Sequence, residues 1–232
     1  MTFPWPPEIA SAFEQARTSD APLSDRLSII ASVVAQQFPE FTDIAQAFVD
    51  RLEQARAGAN APAVGETMPA FVLPDQEGHL TSLKQLLDDG PLVVAFVRGH
   101  WCPYCQLNVR ALAEIEDRVR PARIVAVLPE TQHYSRLLQE ECGAHFSFLT
   151  DVGAAYALSL NLAIWIDQTF SHVIAASGCD VPLYNGTHSW ILPIPSVFVV
   201  KPDGTIAARH IDPDYRQRME MDELLRCVQR IL

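Results

Sequence analysis

Apolar side chains recur at helical spacing through the first quarter of the chain. Three amphipathic helices are predicted within residues 7–57, with apolar faces formed by Ile9, Ala12, Phe13 and Ala16, then by Leu27, Ile30, Ala31 and Val34, and then by Phe41, Ile44, Phe48 and Leu52. A small-residue stretch over 57–62 marks their end. We therefore expect residues 1–60 to form a helical N-terminal extension. Its apolar faces must be buried on the rest of the chain or on another subunit, and the pattern leaves both options open.

From residue 61 onward, short apolar runs alternate with helical spacing. Strands are predicted over 92–97, 123–128, 146–149 and 196–200, with two short strands in 71–83 and a hairpin partner at 205–209; helices are predicted from 103, over 131–142, from 151 toward 162, and over 221–232. The stretch 164–194 has little periodicity and is predicted to be a long loop. This alternation predicts an α/β domain over residues 61–232, with a mixed sheet covered by helices on both faces.

Two cysteines stand where the central apolar strand gives way to a helix. Pro103 suits the first helical turn, so Cys102 and Cys105 lie on one side of the helix start. The free N–H groups and dipole there favour a thiolate, and a second thiol one turn away can displace a mixed disulfide. The spacing predicts a redox pair. Half of a zinc site, completed by Cys142 and His145, is the competing interpretation, but a structural zinc usually replaces a core and this chain has a large one.

Composition and charge exclude several classes of function. The 232 residues are 49% hydrophobic and 19% charged, which indicates a folded protein rather than a disordered one. The net charge of −11 disfavours a nucleic-acid or anionic-membrane surface, because phosphate binding needs clustered basic residues. Five cysteines are too few for a secreted disulfide scaffold. With no targeting segment or membrane helix in the pattern, we expect a cytoplasmic location.

Four motifs, in order along the chain, resemble the thioredoxin-fold redoxins, and specifically the peroxiredoxin-like branch of the alkyl hydroperoxide reductase/thiol-specific antioxidant (AhpC/TSA) family. They are Phe71-x-Leu-Pro-Asp-x-x-Gly78 with Ser82-Leu83, Phe96-Val-Arg-Gly-His-Trp-Cys-Pro-Tyr-Cys105, Leu149-x-Asp151, and Ile194-Pro-Ser-Val-Phe-Val-Val-Lys-Pro-Asp-Gly204. The resemblance covers about residues 65–232 and implies a thioredoxin fold with antioxidant thiol chemistry and no cofactor. It also implies a thiol reductant and a substrate that is a protein disulfide, a small thiol or a peroxide.

The resemblance assigns roles near the cysteines. Pro195 falls where thioredoxins carry a cis proline facing the cysteine pair, and Ile194 would offer backbone hydrogen bonds to an extended substrate. Trp101, Pro103 and Tyr104 would form the apolar rim of the same substrate groove.

Charged residues beside the motif could tune a thiol. Arg98 is expected to lower a thiol pKa through its positive charge, and His100 is a weaker candidate for the same role. Cys179 could act as a remote resolving thiol, whereas Cys227 is interpreted as a core residue.

The sequence also departs from both family patterns. Phe96 occupies the position of the buried acid of thioredoxins, so the proton acceptor is unassigned. Glu130 is a candidate for it, although a solvated carboxylate at a helix start is the favoured interpretation. Aligned on Cys105, the threonine of peroxiredoxins is replaced by Cys102, and Pro195 stands about where their strand arginine would be.

The leading functional prediction is a thiol–disulfide oxidoreductase that cycles Cys102 and Cys105 between dithiol and disulfide. Cys102 is expected to be the more exposed sulfur and the nucleophile, with Cys105 as the resolving thiol. The alternative enzyme is a thiol-dependent peroxidase with Cys105 or Cys102 as its peroxidatic cysteine. The non-enzymatic alternative is a redoxin-fold binding module with a zinc or structural disulfide site. We expect residues 1–60 to be dispensable for the thiol chemistry, and a homodimer is one way to cover their apolar faces.

Overall fold

A computed structural model describes residues 5–232 and contains the predicted alternation of strands and helices. The strands are β1 (Val72–Pro74), β2 (Leu80–Ser82), β3 (Leu92–Phe96), β4 (Arg123–Leu128), β5 (Ser147–Thr150), β6 (Ala163–Trp165), β7 (Ile191–Pro193), β8 (Ser196–Val200) and β9 (Ile206–Ile211). The helices are α1 (Pro7–Arg17), α2 (Leu23–Gln37), α3 (Pro39–Gln54), α4 (Leu83–Asp88), α5 (Pro103–Glu114), α6 (Gln132–Cys142), α7 (Ala155–Ser159), α8 (Gln168–Ala176), α9 (Val181–Asn185) and α10 (Met221–Gln229). The predicted α/β class is confirmed.

The central strand of the main sheet is β3. The strand order is β5-β4-β3-β8-β9. The β3–β4 and β4–β5 pairs are parallel, whereas β8 is antiparallel to both β3 and β9. Every residue of β3 is buried, as expected for an apolar strand with helices on both faces of its sheet. The chain leaves the carboxyl end of β3 through residues 97–102 and enters α5, so the cysteine pair lies at this edge of the sheet.

The prediction of a long loop over 164–194 is wrong. The segment contains an antiparallel pair of short strands, β6 and β7, and the helices α8 and α9. The side chain of Asp167 caps α8 by accepting a hydrogen bond from the Phe170 N–H at 2.9 Å. Phe170 and Ile174, four residues apart, are the buried positions of this helix. Elements of three to nine residues are too short to establish a period in the sequence, so their burial had to be seen in the fold.

The N-terminal helices pack on the rest of the chain, and this resolves where their apolar faces go. Helices α1 and α2 form a hairpin that contacts α5, and α3 contacts α8. The rings of Phe48 and Phe170 lie 5.0 Å apart between α3 and α8. Between α2 and α5, Arg26 Nη1 lies 2.8 Å from Glu114 Oε2. Among the helices of residues 5–232, none combines the length and the apolar character that crossing a membrane requires.

Substitution of Arg26 tests how much the contact between the N-terminal helices and α5 contributes to the free energy of unfolding. The Arg26 side chain is only 4% exposed, and its Nε also donates to the Ala16 carbonyl at 3.0 Å. We expect Arg26→Met to lower the free energy of unfolding by about 1–3 kcal/mol, because the Ala16 carbonyl and the Glu114 carboxylate both lose a charged donor. The matched control is Arg17→Met, which breaks the more exposed Arg17–Glu14 pair and should cost less than about 1 kcal/mol. If urea denaturation shows that Arg26→Met and Arg17→Met lower the free energy of unfolding equally, this prediction is wrong.

Candidate active site

Both cysteines of the predicted redox pair are buried at the start of α5. Cys102 is the N-cap residue and Cys105 lies in the first turn, and each is 0% exposed. The expectation that Cys102 is the more exposed sulfur is therefore wrong. One reason is that the N-terminal segment reaches the helix start, where Trp5 Nε1 donates to the Trp101 carbonyl at 3.0 Å.

Two arginines contact the sulfurs. Arg98 Nη2 lies 3.2 Å from Cys102 Sγ, and the Arg98 backbone N–H donates to Cys105 Sγ at 3.3 Å. Arg218 Nη2 lies 3.7 Å from Cys105 Sγ. The Arg98 guanidinium lies over the ring of Tyr215, with its Cζ atom 3.9 Å from the ring centroid. The Cys105 sulfur is thus contacted by Arg98, from the loop before α5, and by Arg218, from the distant segment before α10.

Sequence reasoning identified Arg98 but missed Arg218 and Tyr215. These two residues are more than a hundred positions after the cysteine motif, in an irregular segment without periodicity or motif spacing. No pattern in the sequence associates them with the cysteines. Only the return of the chain from β9 toward α10 brings them to the site.

The two thiols have opposite pKa shifts. Burial alone would raise the pKa of Cys105, but the hydrogen bond from Cys102, the charges of Arg218 and Arg98 and the Arg98 backbone N–H outweigh it, so this pKa lies well below its ordinary value. Burial, and then the hydrogen bond to Cys105, raise the pKa of Cys102 well above its ordinary value, although Arg98 acts in the opposite direction. The geometry favours a thiolate at Cys105 and a thiol at Cys102.

A carboxyl group is buried beneath the loop that joins β3 to α5. Glu130 is fully buried, contrary to the interpretation as a solvated residue, and its Oε2 accepts from the His100 backbone N–H at 2.8 Å. Burial raises the pKa of Glu130 well above its ordinary value, and the hydrogen bond from His100 only partly opposes this rise. Gly99 lets the carboxyl group come so close: a Cβ at this position would lie 2.4 Å from Glu130 Oε1. Glu130 is therefore held as a neutral acid beside the cysteine motif.

His100 belongs to a neighbouring cluster rather than to the thiols. Its Nε2 lies 2.8 Å from Glu141 Oε2, and its ring stacks on Tyr134 at a centroid distance of 6.4 Å. Burial lowers the pKa of His100, with Glu141 opposing the shift. A neutral imidazole here supplies little positive charge to a thiolate, which leaves Arg98 and Arg218 as the cations of the site.

A cavity of about 580 Å³ adjoins the cysteine pair. Trp101, Pro103 and Tyr104 lie in its wall, together with Arg98 and Tyr215. Residues in and after α8 form another part of the wall. Residues of the N-terminal segment, of α1–α3 and of the α2–α3 connection form the rest: Trp5, Pro6, Ile9, Val34, Gln37, Phe38, Pro39, Glu40 and Phe41. The extension thus forms part of the site, which the sequence did not predict.

Ile194 and Pro195 lie outside the cavity wall and do not have the predicted geometry. Both are buried, and the Ile194 N–H donates to the Leu162 carbonyl at 2.7 Å, so it is not available to an extended substrate. Within residues 5–232 the one cis peptide bond joins Arg120 to Pro121, so the bond before Pro195 is trans. These positions differ from the thioredoxin pattern because the β6–β7 pair engages the chain just before β8.

The remaining cysteines have separate surroundings. Cys179 is buried in the cavity wall, whereas Cys142 Sγ donates to the Gln106 carbonyl at 3.4 Å. The zinc interpretation required Cys142 and His145 to join the cysteine pair. Over the described part of the chain, the one cluster of three ligand atoms with metal-like spacing is formed instead by Asp75, Glu77 and His79.

Comparisons with known proteins agree with this fold. The model of the AhpC/TSA family matches residues 64–209. A peroxidoxin from Mycobacterium tuberculosis is similar in structure, with a TM-score of 0.56 and 19% identity, covering 73% of this chain and 97% of that chain. A cysteine mutant of peroxiredoxin 6 of Arenicola marina has a TM-score of 0.57 and 15% identity, covering 72% of this chain and 72% of that chain. A peroxiredoxin-like protein from Aquifex aeolicus has a TM-score of 0.53 and 15% identity, covering 74% of this chain and 89% of that chain. No curated protein matches the sequence. At these identities the structures show a shared fold.

The opposite pKa shifts can be tested by titrating thiolate absorbance in the reduced protein. We expect a thiolate to form well below the ordinary cysteine pKa in the wild type and in Cys102→Ser, whose hydroxyl can still donate to Cys105. The signal should be absent from Cys105→Ser. Cys142→Ser serves as the control, because burial raises the pKa of that thiol to about 12. A low-pKa thiolate that persists in Cys105→Ser and disappears in Cys102→Ser would reverse the assignment.

A second test concerns Glu130 and the pH dependence of stability. A buried acid with a raised pKa stabilises the fold while it is protonated, and this contribution is lost as the pH rises through the raised value. We expect the free energy of unfolding to fall more steeply in the wild type than in Glu130→Gln as the pH rises above the ordinary glutamate pKa. Glu40→Gln, at an exposed position, should follow the wild type. Parallel curves for the wild type and Glu130→Gln would contradict a buried neutral acid.

Proposed function

The chain belongs to the AhpC/TSA family, and from that premise we propose that it is a thiol peroxidase in which Cys105 reduces the peroxide and Cys102 resolves the oxidised sulfur. Family membership supports a thiol-dependent redox enzyme rather than a binding module. The observation that carries the finer proposal is the environment of Cys105 Sγ. This sulfur accepts the Arg98 N–H at 3.3 Å and faces the Arg218 guanidinium at 3.7 Å, so a thiolate is stabilised inside the protein.

The reaction balances with the two cysteines of the motif. The Cys105 thiolate attacks one oxygen of the peroxide, an S–O bond forms, the O–O bond breaks, and the leaving alkoxide or hydroxide takes up a proton. The Cys102 sulfur then attacks the sulfenic acid at Cys105, which forms the disulfide and releases water. An external thiol reductant reduces the disulfide and regenerates both thiols.

The surroundings of the pair fit these steps. The neutral acid of Glu130 lies beside the loop that carries the cysteines and is the candidate donor for the leaving oxygen. The charge of Arg98, close to both sulfurs, stabilises negative charge as the O–O bond breaks. This assignment gives Glu130 the role of an acid rather than that of the proton acceptor considered from the sequence.

Burial of both sulfurs favours a small substrate. A protein disulfide must bring its own sulfur into contact with the attacking thiolate, and both Cys102 and Cys105 are 0% exposed. A peroxide needs far less space, and the adjoining cavity extends to Arg98, whose side chain and backbone N–H contact the two sulfurs. Access to the thiols therefore supports the peroxidase over a reductase of large protein substrates.

The second candidate is the thiol–disulfide oxidoreductase predicted from the sequence. The observation in its favour is that Cys102 occupies the N-cap position of α5 directly before Pro103, with Cys105 one turn later. Against it, the N–H of Ile194 is already engaged with Leu162, so the backbone partner expected for an extended substrate is missing. This candidate remains a proposal that the following experiment separates from the first.

The test is turnover with hydrogen peroxide and with a protein disulfide such as insulin, measured side by side. We expect peroxide reduction in the wild type and a loss of at least about 100-fold in Cys105→Ser, because the nucleophile is removed. Cys102→Ser should complete one turnover and accumulate a sulfenic acid at Cys105 that dimedone labels. Cys227→Ser is the control and should retain the activity. If insulin is the better substrate, and Cys105→Ser traps mixed disulfides at Cys102, the oxidoreductase assignment replaces the peroxidase.

A further inference from the structure

The cavity beside the cysteine pair combines an apolar wall with one buried cation. Aromatic and aliphatic side chains form most of the wall, and they come from the N-terminal segment, from α1–α3 and α8, and from the start of α5. Arg98 is 3% exposed and is the one buried charged residue in it, since the other charged residue of the wall, Glu40, is exposed. Burying a guanidinium in such surroundings costs free energy unless its N–H groups have hydrogen-bond acceptors and its charge has a counter-ion.

The donors of Arg98 are only partly matched. Its Nη2 reaches Cys102 Sγ, whereas Nε and Nη1 have no hydrogen-bond partner among residues 5–232. The group also lies over two aromatic rings, with its Cζ atom 3.9 Å from the Tyr215 centroid and 5.1 Å from that of Trp101. Most buried donors in proteins are paired, so two unpaired nitrogens on the guanidinium of a cavity-wall arginine require an explanation.

The charges around Arg98 point to an anion. Arg98 and Arg218 are both cationic, and the Cys105 thiolate balances one of them. The pKa of Glu130 is raised by burial, so its carboxyl group is neutral, and the raised pKa of Cys102 keeps that thiol neutral too. One positive charge at the apolar cavity therefore has no buried counter-ion in the described structure.

We propose that this cavity binds an amphipathic monocarboxylate, with its carboxylate on the free nitrogens of Arg98 and its apolar body against the aromatic wall. Planar guanidinium and carboxylate groups match in charge and hydrogen-bond geometry. A volume of about 580 Å³ lies within the range of small-molecule sites and has room for a medium-length alkyl chain or an aromatic body. The site needs no redox step, so it exists whether the enzyme is a peroxidase or an oxidoreductase.

Calorimetric titration of the reduced protein without peroxide tests the ligand class. Three probes are compared. Decanoate carries both an apolar chain and a carboxylate, decanol carries the apolar chain without the carboxylate, and acetate carries the carboxylate without a long apolar chain. We expect decanoate to bind at one site, decanol to bind at least about tenfold more weakly, and acetate to give no saturable heat. Equal binding of decanol and decanoate would overturn the proposal in favour of a neutral lipid. Saturable binding of acetate as tight as that of decanoate would also overturn it, by showing that the apolar wall contributes nothing.

Neighbouring alanines on α8 provide a matched pair of variants that locates the site. Ala176 lies in the cavity wall, whereas Ala175 is exposed and lies outside it. Ala176→Phe should weaken decanoate binding at least about tenfold by filling the cavity, and Ala175→Phe should leave it unchanged. Equal effects of the two substitutions would place the ligand elsewhere and contradict the proposal.

Removal of the Arg98 charge provides the last test of the proposal. Arg98→Gln should reduce the affinity for decanoate to about that for decanol, since only the apolar body then contributes. Undiminished preference for decanoate in a folded Arg98→Gln protein would contradict the proposal. If this variant does not fold, the wild-type probes and the Ala176→Phe comparison still decide the question. Because no peroxide is present, failure of the peroxidase assay and failure of this binding test are independent results.

Discussion

The interaction on which the site depends is that of the buried Arg98 guanidinium with the cysteine pair. Arg98 follows the central strand by two residues, and its backbone N–H contacts Cys105 while its side chain contacts Cys102. A charge inside an apolar region is tolerated only where neighbouring groups stabilise it. Tyr215 supplies a ring face to the guanidinium, and the thiolate of Cys105 supplies the opposite charge.

The same contact explains how two similar side chains acquire different chemistry within one helical turn. Both thiols are equally buried, so desolvation alone would keep both protonated. Arg218 and the backbone N–H of Arg98 act on Cys105, and a hydrogen bond between the thiols favours the ionised form of one at the expense of the other. The asymmetry therefore arises from tertiary contacts, whereas the helix N-terminus is common to both residues.

Local patterns in the sequence were sufficient to predict the sheet and the position of the cysteine pair. β3, α5 and the β8–β9 hairpin were predicted because apolar periodicity and turn residues act over a few positions. The burial of Cys102, the approach of Arg218 and the buried state of Glu130 were not predicted. Each of these features depends on contacts with a segment that is distant in the chain. Helical spacing within residues 7–57 predicts that each helix has an apolar face, but it does not show which part of the protein that face packs against. The role of Ile194 was inferred from resemblance, and the neighbouring β6–β7 pair changed its hydrogen bonding.

The packing of the N-terminal helices also has a consequence for biosynthesis. The ribosome makes α1 and α2 before the residues that cover them: Trp5 contacts a carbonyl 96 positions further along, and Arg26 contacts a carboxylate 88 positions further along. Until α5 has left the ribosomal exit tunnel, α1 and α2 can pack only on each other, and the apolar faces that α5 later covers stay exposed. The segment that forms part of the cavity wall in the finished protein therefore makes these contacts only after a later part of the chain has been synthesised. Until then, these apolar faces are surfaces on which a chaperone can bind the nascent chain or on which incomplete chains can aggregate.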